Sequence, residues 1–334
     1  MGLIIHAPNI NNGGGKTLLL ALLKHLVEPV ILQIDDRFDI DQKSDKYTKI
    51  IRVRPNLLSR LAAEVRLLRL CKSGDKLLCF GNLPPLLAVR ASVTVYVQNR
   101  YLVDPKAIKF ELSRQAFKVL VEKMWLKVFI RNASIFVQTQ TMKLLTEKSL
   151  KAPVRLMPFF PTNFEIKRRK AKPNYDYLYV ATGERHKNHR RLIKAWRLLA
   201  NKNMYPSLRL TLCKKRDSTL FKWIEQQARA HQLNIVMAPV HQKKIADLYA
   251  ESRALIYPSL FESFGLPLLE AKANNLPVLA SECDYVRDVV EPDYTFDPVS
   301  ERSIFRAILR YEGKGDEPQS PKNEKYILHS LLGD

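Results

Sequence analysis

The chain has 334 residues, about twice a typical domain, and its 46% hydrophobic and 26% charged residues exclude collagen-like, low-complexity and wholly disordered classes. Lys and Arg number 55 against 33 Asp and Glu, a formal net charge of +22, which implies an anionic partner: nucleic acid, an anionic membrane surface or phosphorylated ligands. Cys71, Cys79, Cys213 and Cys283 have no Cys-x-x-Cys spacing, which excludes a disulfide framework and a zinc or redox site of that type and suits a reducing cytoplasm.

Gly2–His6 is expected to be a short strand, followed by a glycine loop and a helix over Lys16–Leu26. Its apolar run has no basic segment before it, so it does not read as a signal peptide. Val30–Ile34 is strand again and Leu57–Leu70 a basic helix. Lys76–Phe80, Val93–Gln98 and Ser134–Gln138 are apolar runs bounded by polar residues, predicted as buried strands. A long helix over Ala107–Phe129 joins the last two. Pro161–Asn174 carries Lys167, Arg168, Arg169, Lys170 and Lys172, ends in a Pro-Asn turn signal and reads as a linker. Beyond it, strands are expected at Asp176–Ala181, Leu208–Cys213, Leu233–Ala238, Ala254–Tyr257 and Pro277–Ala280. His189–Leu199 and Leu220–His231 are helices between them, and a linker-like segment after Arg310 precedes a last helix over Lys325–Leu332. No apolar run reaches the roughly 18 residues of a membrane helix.

This alternation predicts an α/β chain of two parallel sheets covered by helices, divided near residue 165. The expected parts are 1–165, 166–312 and 313–334. Such sheets hold ligands in the crevice at the carboxyl ends of their strands.

Gly13-Gly14-Gly15-Lys16-Thr17 follows a strand and opens a helix. Backbone N–H groups there suit an anion, and glycines let it approach closely. Gly15-Lys16-Thr17 resembles the end of a P-loop, but the glycine required five residues earlier is Ile10. Val30–Asp35 offers a strand ending in Asp, as a Walker B strand does. A P-loop NTPase therefore stays open beside a ligand-approach loop and a plain tight turn. Asp35, Asp36, Asp39 and Asp41 read as a solvated loop, and His186 and His189 as a loop and helix-start pair without metal partners.

Between Ala254 and Val278 a buried strand ends at Tyr257-Pro258-Ser259, and a loop leads to Phe264-Gly265-Leu266-Pro267 and a helix carrying Glu270. Pro267 is favoured in a first helical turn, whose N–H groups suit a phosphate or sugar hydroxyl. Glu262 and Glu270, with seven residues between them, are placed to accept hydrogen bonds from sugar hydroxyls.

The series Pro258-Ser259, Glu262, Phe264-Gly265-Leu266-Pro267, Glu270-Ala271 and Pro277-Val278 resembles the retaining glycosyltransferases of the GT-B fold, the large class often called family four, or glycosyl transferases group 1. The stretch VATGERHKNHRRLIKA over 180–195 is similar to that family's diphosphate loop, and Val95–Arg100 to its strand end beside the reacting centre. The resemblance is strong over about residues 177–300 and weak over the first half.

It implies two Rossmann-like domains with parallel sheets facing across a cleft. It also implies transfer of a sugar from a nucleotide-sugar to a hydroxyl with retention, in cell-envelope polysaccharide or lipopolysaccharide assembly. Lys187 would neutralise the donor diphosphate with help from Arg185, and Glu262 would contact the donor sugar. Glu270 would hold the ribose, and the backbone of Ser263, Phe264, Gly265 and Leu266 would face sugar and diphosphate. Gly13, Gly14 and Gly15 would close over the donor. Gln98 and Asn99 would lie near sugar or acceptor, although Gln98 replaces a family His and cannot act as acid or base. Asn275 stands where the family has Gly, and Asp288 where it has a later Glu. No metal and no cofactor besides the nucleotide-sugar is implied.

Residues 100–172 hold 17 Lys and Arg against 5 Asp and Glu. Phe117, Leu120, Val121, Met124, Trp125 and Val128 recur at helical spacing with Lys109, Arg114, Lys118, Lys123 and Lys127 elsewhere. Two expectations stay open: a basic helix on an anionic membrane surface, or an apolar face packed in the core beneath solvated lysines. A cytoplasmic protein at the inner face of the membrane, with a glycan or lipid-linked glycan acceptor, fits the first. Nucleic-acid binding is the remaining alternative, without a helix-turn-helix, zinc-finger or RRM pattern to support it.

Overall fold

The computed structural model describes residues 2–40, 45–105, 113–161, 164–168, 170–240, 244–315, 327 and 330–332. The first half runs β1 (Leu3–Ala7), α1 (Gly13–Lys24), β2 (Val30–Asp35), β3 (Tyr47–Val53), α2 (Leu57–Leu70), β4 (Lys76–Cys79) and β5 (Ser92–Tyr96). It continues with α3 (Ser113–Phe129), β6 (Ser134–Val137), α4 (Gln140–Leu150) and β7 (Val154–Leu156). These strands form a parallel seven-stranded sheet in the order β3-β2-β1-β4-β5-β6-β7.

The second half runs β8 (Tyr175–Tyr179), α5 (His189–Ala200), β9 (Leu208–Leu210), α6 (Ser218–Ala230), β10 (Ile235–Met237) and α7 (Ile245–Ala250). It ends with β11 (Ser252–Tyr257), α8 (Leu266–Ala273), β12 (Val278–Ser281), α9 (Asp284–Arg287), β13 (Tyr294–Phe296) and α10 (Glu301–Tyr311). Its six strands are parallel in the order β10-β9-β8-β11-β12-β13.

Right-handed crossovers decide which helix covers which face. In the first sheet α1 turns back toward β2, while α2, α3 and α4 all cross toward β7, so they share the opposite face. The packing agrees. Leu18, Leu19 and Leu23 of α1 join one core with Ile5 and Leu32. Leu67 of α2, Leu126 of α3 and Met142 of α4 join another with Ile4 and Val95. The second sheet is built on large aromatics: Tyr177, Tyr179, Trp196, Tyr257 and Tyr285 are all fully buried.

Several local expectations change. Helix α1 begins at Gly13 rather than Lys16, so the glycine run is its first turn and not a loop before it. Strand β3 lacks a continuous apolar run, because it is a half-exposed edge strand carrying Lys49 and Arg52. Of the helix expected over 107–129, residues 107–112 lie outside the described residues, as do Asp41 and most of the expected helix 325–332.

The basic linker is not loose. Lys170 donates its backbone N–H to Ala250 at 3.0 Å and its ammonium to Glu251 at 2.7 Å, and Lys167 pairs with Asp247.

The helix α3 also departs from the core-packed expectation. Val119 and Leu126 turn inward, whereas Phe117, Leu120, Val121, Met124 and Val128 are exposed.

Candidate active site

Strands β8 and β11 are neighbours, so the loops at their carboxyl ends lie side by side. After β8 the chain makes a short 3-10 turn at Arg185–Lys187 before α5. Asn188 ends that turn in the left-handed region, at φ +61°, which Asn tolerates well. Its amide donates to the carbonyls of Pro258 at 3.0 Å and Pro298 at 2.7 Å. Leu260 N–H donates to the His186 carbonyl at 2.8 Å, which ties the two loops together.

This frame brings the Lys187 ammonium to 2.7 Å from the Glu262 carboxylate, with only 16% and 11% of the two side chains exposed. The Tyr257 hydroxyl donates to the same carboxylate at 3.1 Å. Beneath them, Tyr179 lies within hydrogen-bond reach of the Lys187 carbonyl and the Ser259 hydroxyl. Burial is the largest effect and pushes the Glu262 carboxyl up, but Lys187, foremost among the opposing groups, together with His186 and Ser259 holds Glu262 below its ordinary value.

Glu270 has a different environment. It is buried inside α8 and accepts a hydrogen bond from the Tyr249 hydroxyl at 2.7 Å. Burial without a cation raises its pKa to about 7, against which the Tyr249 bond is the weaker effect. The two glutamates therefore differ: Glu262 is ionised, while Glu270 stands near the midpoint of its titration at neutral pH. Burial lowers His186 to about 4 and His189 to about 3, so both rings are neutral.

The first sheet closes on this site. Phe264 and Leu266 insert their side chains into the core around Ile10, Leu18 and Tyr96. Gly265 sits between them at φ +86° and caps α8, with Pro267 in its first turn. A Cβ on Gly14 would stand 3.3 Å from Leu266, and one on Gly15 would stand 3.1 Å from Ile10 and 3.7 Å from the Gln98 carbonyl oxygen. The glycine run thus permits close approach between the two halves. Among the described residues, further polar contacts cross between them. Arg100 reaches the Glu262 carbonyl at 3.4 Å, and Tyr101 lies 2.9 Å from the His186 ring. Thr139 donates to the Ser263 carbonyl at 3.3 Å, and the Thr141 N–H to Asp288 at 2.7 Å.

Residues 161–326 match the model of the family described as glycosyl transferases group 1. Through its C-terminal half, the chain belongs to the glycosyl transferases of group 1. This group 1 chain is 33% identical over 136 residues to O-antigen chain mannosyltransferase B of Escherichia coli, covering 40% of the chain and 35% of that protein. It is 29% identical over 150 residues to O-antigen chain mannosyltransferase RfbU of Salmonella typhimurium, covering 43% of the chain and 40% of that protein. The matches thus span less than half the length of these curated relatives. The fold extends further. WaaG, a glycosyltransferase involved in lipopolysaccharide biosynthesis, superposes with a TM-score of 0.64 at 13% identity over 94% of this chain and 92% of its own. HepE of Anabaena, solved with UDP, gives 0.68 at 13% identity over 94% and 90%. The architecture is GT-B.

In this group 1 chain the structure brings Lys187 and Glu262 together, while Glu270 keeps a separate partner. Arg185 is exposed at the other end of the same short 3-10 turn as Lys187. Gln98 donates its amide to the Phe80 carbonyl at 3.1 Å and turns its oxygen toward Gly15. Asn99 uses its side-chain oxygen to cap the Tyr101 N–H at 3.1 Å, which is a structural task. The side chains of Phe264 and Leu266 pack between the sheets, so only their backbone can face a ligand. Lys16 stands over the Phe38 ring at 5.7 Å. Asp35 is a correction: rather than solvated, it is fully buried at the end of β2 and bonded by Arg37 through two nitrogens at 2.8 Å. Sequence reading missed Arg100, Tyr101 and Thr139. Their signal was position, since Arg100 and Tyr101 follow the β5 strand end directly and Thr139 follows β6.

Proposed function

We propose that this glycosyl transferase moves a hexosyl group from a nucleotide-sugar to a hydroxyl of a glycan acceptor, with retention, in cell-envelope polysaccharide assembly. The observation that carries this reading is the Lys187–Glu262 pair at the carboxyl ends of β8 and β11, closed over from the other sheet by Arg100. The curated relatives named as O-antigen mannosyltransferases support the pathway class and make a mannosyl donor the first to test.

In this reading the donor diphosphate meets Lys187, Arg185 and the N–H groups at the start of α8, and no metal ion is assigned. The bond from the sugar anomeric carbon to the diphosphate oxygen breaks while charge grows on that oxygen, where Lys187 stabilises it. The acceptor oxygen bonds to the same face of the anomeric carbon, and its proton passes to the departing diphosphate. Glu262 and Glu270 accept hydrogen bonds from sugar and ribose hydroxyls. Asn99, occupied in its turn, shapes the acceptor side rather than binding there.

A ligand that prefers the native state raises thermal stability. Thermal unfolding with UDP, GDP, dTDP, CMP and ATP tests the reading. A nucleoside diphosphate should raise the melting temperature, and Glu270→Ala should remove the rise. A response to ATP alone would replace this reading with a nucleotide hydrolase. The anomeric configuration of the product, read by NMR, checks retention.

A further inference from the structure

Tyr249 is fully buried on α7. Its hydroxyl lies 2.7 Å from the Glu270 carboxylate and 3.4 Å from the Pro267 carbonyl, one turn earlier on α8. The Phe164 ring meets Tyr249 edge to face, with centroids 6.1 Å apart at 77°. Phe160 packs on Phe164 at 5.7 Å and on the core around Ile10 and Tyr96. The backbone of Glu270 is tied from the same side. Lys167 N–H donates to the Asn274 side-chain oxygen at 3.3 Å, and the Asn274 amide donates to the Glu270 carbonyl at 2.8 Å. Both ends of the Tyr249–Glu270 bond are thus anchored to the segment that joins the two halves, and the hydroxyl hydrogen is the part left to rotate.

One rotating hydrogen with two acceptors suits a carboxyl that titrates. When Glu270 is ionised, Tyr249 donates to it. When Glu270 is protonated, its O–H donates to the Tyr249 oxygen, and the Tyr249 hydrogen turns to the Pro267 carbonyl. Each state then has partners, which a carboxyl with only 7% of its residue exposed requires. Burial holds the Tyr249 phenol well above its ordinary range, so it keeps its own proton throughout.

The charged groups on the surrounding elements are engaged elsewhere. Asp247 of α7 pairs with Lys167, and Glu251, which follows α7, pairs with Lys170. Lys272 of α8 pairs with Asp293. On β11, Arg253 pairs with Asp176, and Tyr257 donates to Glu262. Lys244, before α7, is exposed. Among the described residues, Tyr249 is therefore the titratable side chain that bears on Glu270, against the opposing effect of burial.

We propose that Tyr249 is a positioning residue of the nucleotide site, which holds the Glu270 carboxylate for the ribose hydroxyls and serves both of its protonation states by turning one hydroxyl hydrogen between Glu270 and Pro267. A hydrogen bond donated to a carboxylate is stronger than one accepted from the neutral acid. Tyr249 therefore favours the ionised form, the form with more positions for ribose hydroxyls. Its service to ribose rests on the transferase reading, whereas the relay of hydrogen bonds stands on the geometry alone.

The test is Tyr249→Phe in the full chain, which removes the hydroxyl and keeps the ring against Phe164. NMR of carbon-13-labelled glutamate carboxyls, with Glu270 assigned through Glu270→Gln, follows the titration with no ligand present. The Glu270 midpoint should rise by roughly one pH unit, a tenfold change in its ionisation constant. An unchanged or lower midpoint overturns the relay. Calorimetry with UDP and with GDP then reads the consequence for binding. At pH 7 the variant should bind about fivefold more weakly, and the difference should narrow by about pH 9, where both carboxyls are ionised. An equal loss at both pH values would mark a merely structural hydroxyl and also overturns the proposal. The two readings fail separately. A raised midpoint with nucleotide affinity indifferent to pH in both proteins sinks the ribose assignment and not the relay. Affinity that follows pH while the midpoint stays unmoved sinks the relay and not the ribose assignment.

Discussion

The Lys187 ammonium and the Glu262 carboxylate lie 2.7 Å apart, each mostly withdrawn from water, at the ends of two hydrogen-bonded strands. Without a donor, each neutralises the other. In the proposed reading, an arriving diphosphate would take over Lys187, and the sugar hydroxyls would take over Glu262.

Removing one partner leaves the other charge buried. Lys187→Ala should therefore destabilise the fold by roughly 3 kcal/mol, at the lower end for a broken buried pair because some exposure remains. Lys187→Ala/Glu262→Gln should recover part of that loss, as measured by denaturant unfolding. Equal stability of the single and double variants would remove the coupling. In transfer assays, Lys187→Ala should lower kcat more than it raises the donor KM, because charge on the leaving diphosphate grows in the transition state. Near-native turnover would show that Lys187 serves only the loop.

Glu270 carries a pH prediction. Burial raises its pKa from 4.5 to about 7. Between those values the unfolded chain releases the proton and the folded chain keeps it, so wild-type stability falls as pH rises through this window. Glu270→Gln has no proton to lose there. It should gain up to roughly 3 kcal/mol on the wild type between pH 5 and pH 8, at about 1.4 kcal/mol per unit. A carboxylate accepts hydrogen bonds from ribose at more positions than an acid does, so wild-type nucleotide affinity should fall as pH drops below about 7. Calorimetry at pH 6 and pH 8 checks this, and a flat profile would refute the ribose assignment.

What the sequence discloses depends on how locally it is encoded. The strand, loop and helix from Ala254 to Ala273 lie within one short stretch, and their apolar run, glycine, proline and paired glutamates are readable in order. Arg100–Glu262 and Thr139–Ser263 join residues 162 and 124 positions apart, and no local pattern announces them. The apolar period of α3 is equally plain in the sequence. Its direction is not: among the described residues Val119 and Leu126 are the buried apolar side chains of α3, and they mark the arc that meets the sheet. Asp35 reads as part of an acidic loop until Arg37 folds back over it.

Gly265 holds φ +86° between two side chains anchored in the opposite half, and a Cβ there would meet Leu268 at 3.0 Å. The left-handed region costs a non-glycine residue about 1–2 kcal/mol. Gly265→Ala should lower stability by at least that much in denaturant unfolding and should weaken nucleotide binding, because the N–H groups starting α8 shift with it. A variant as stable as the wild type would show that the cap relaxes without strain.

Arg100 separates the chemistry of the two halves. Its guanidinium donates to Asp104 at 2.9 Å and to the Glu262 carbonyl at 3.4 Å, and it lies over the Phe261 ring at 5.6 Å. A planar group with several donors is needed to make all three contacts, and an ammonium on a flexible stem cannot reproduce them. Arg100→Ala and Arg100→Lys should both lower kcat for transfer, by on the order of tenfold for a lost interaction of about 1.4 kcal/mol. Nucleotide affinity should stay near the wild-type value, because Glu270 and the start of α8 do not touch Arg100. Steady-state transfer kinetics paired with calorimetry for the nucleotide distinguishes the outcomes. Full rescue by lysine would reduce Arg100 to a positive charge, and an equal loss of nucleotide affinity would mean that it supports the fold of the loop rather than the closure of the two sheets over the sugar.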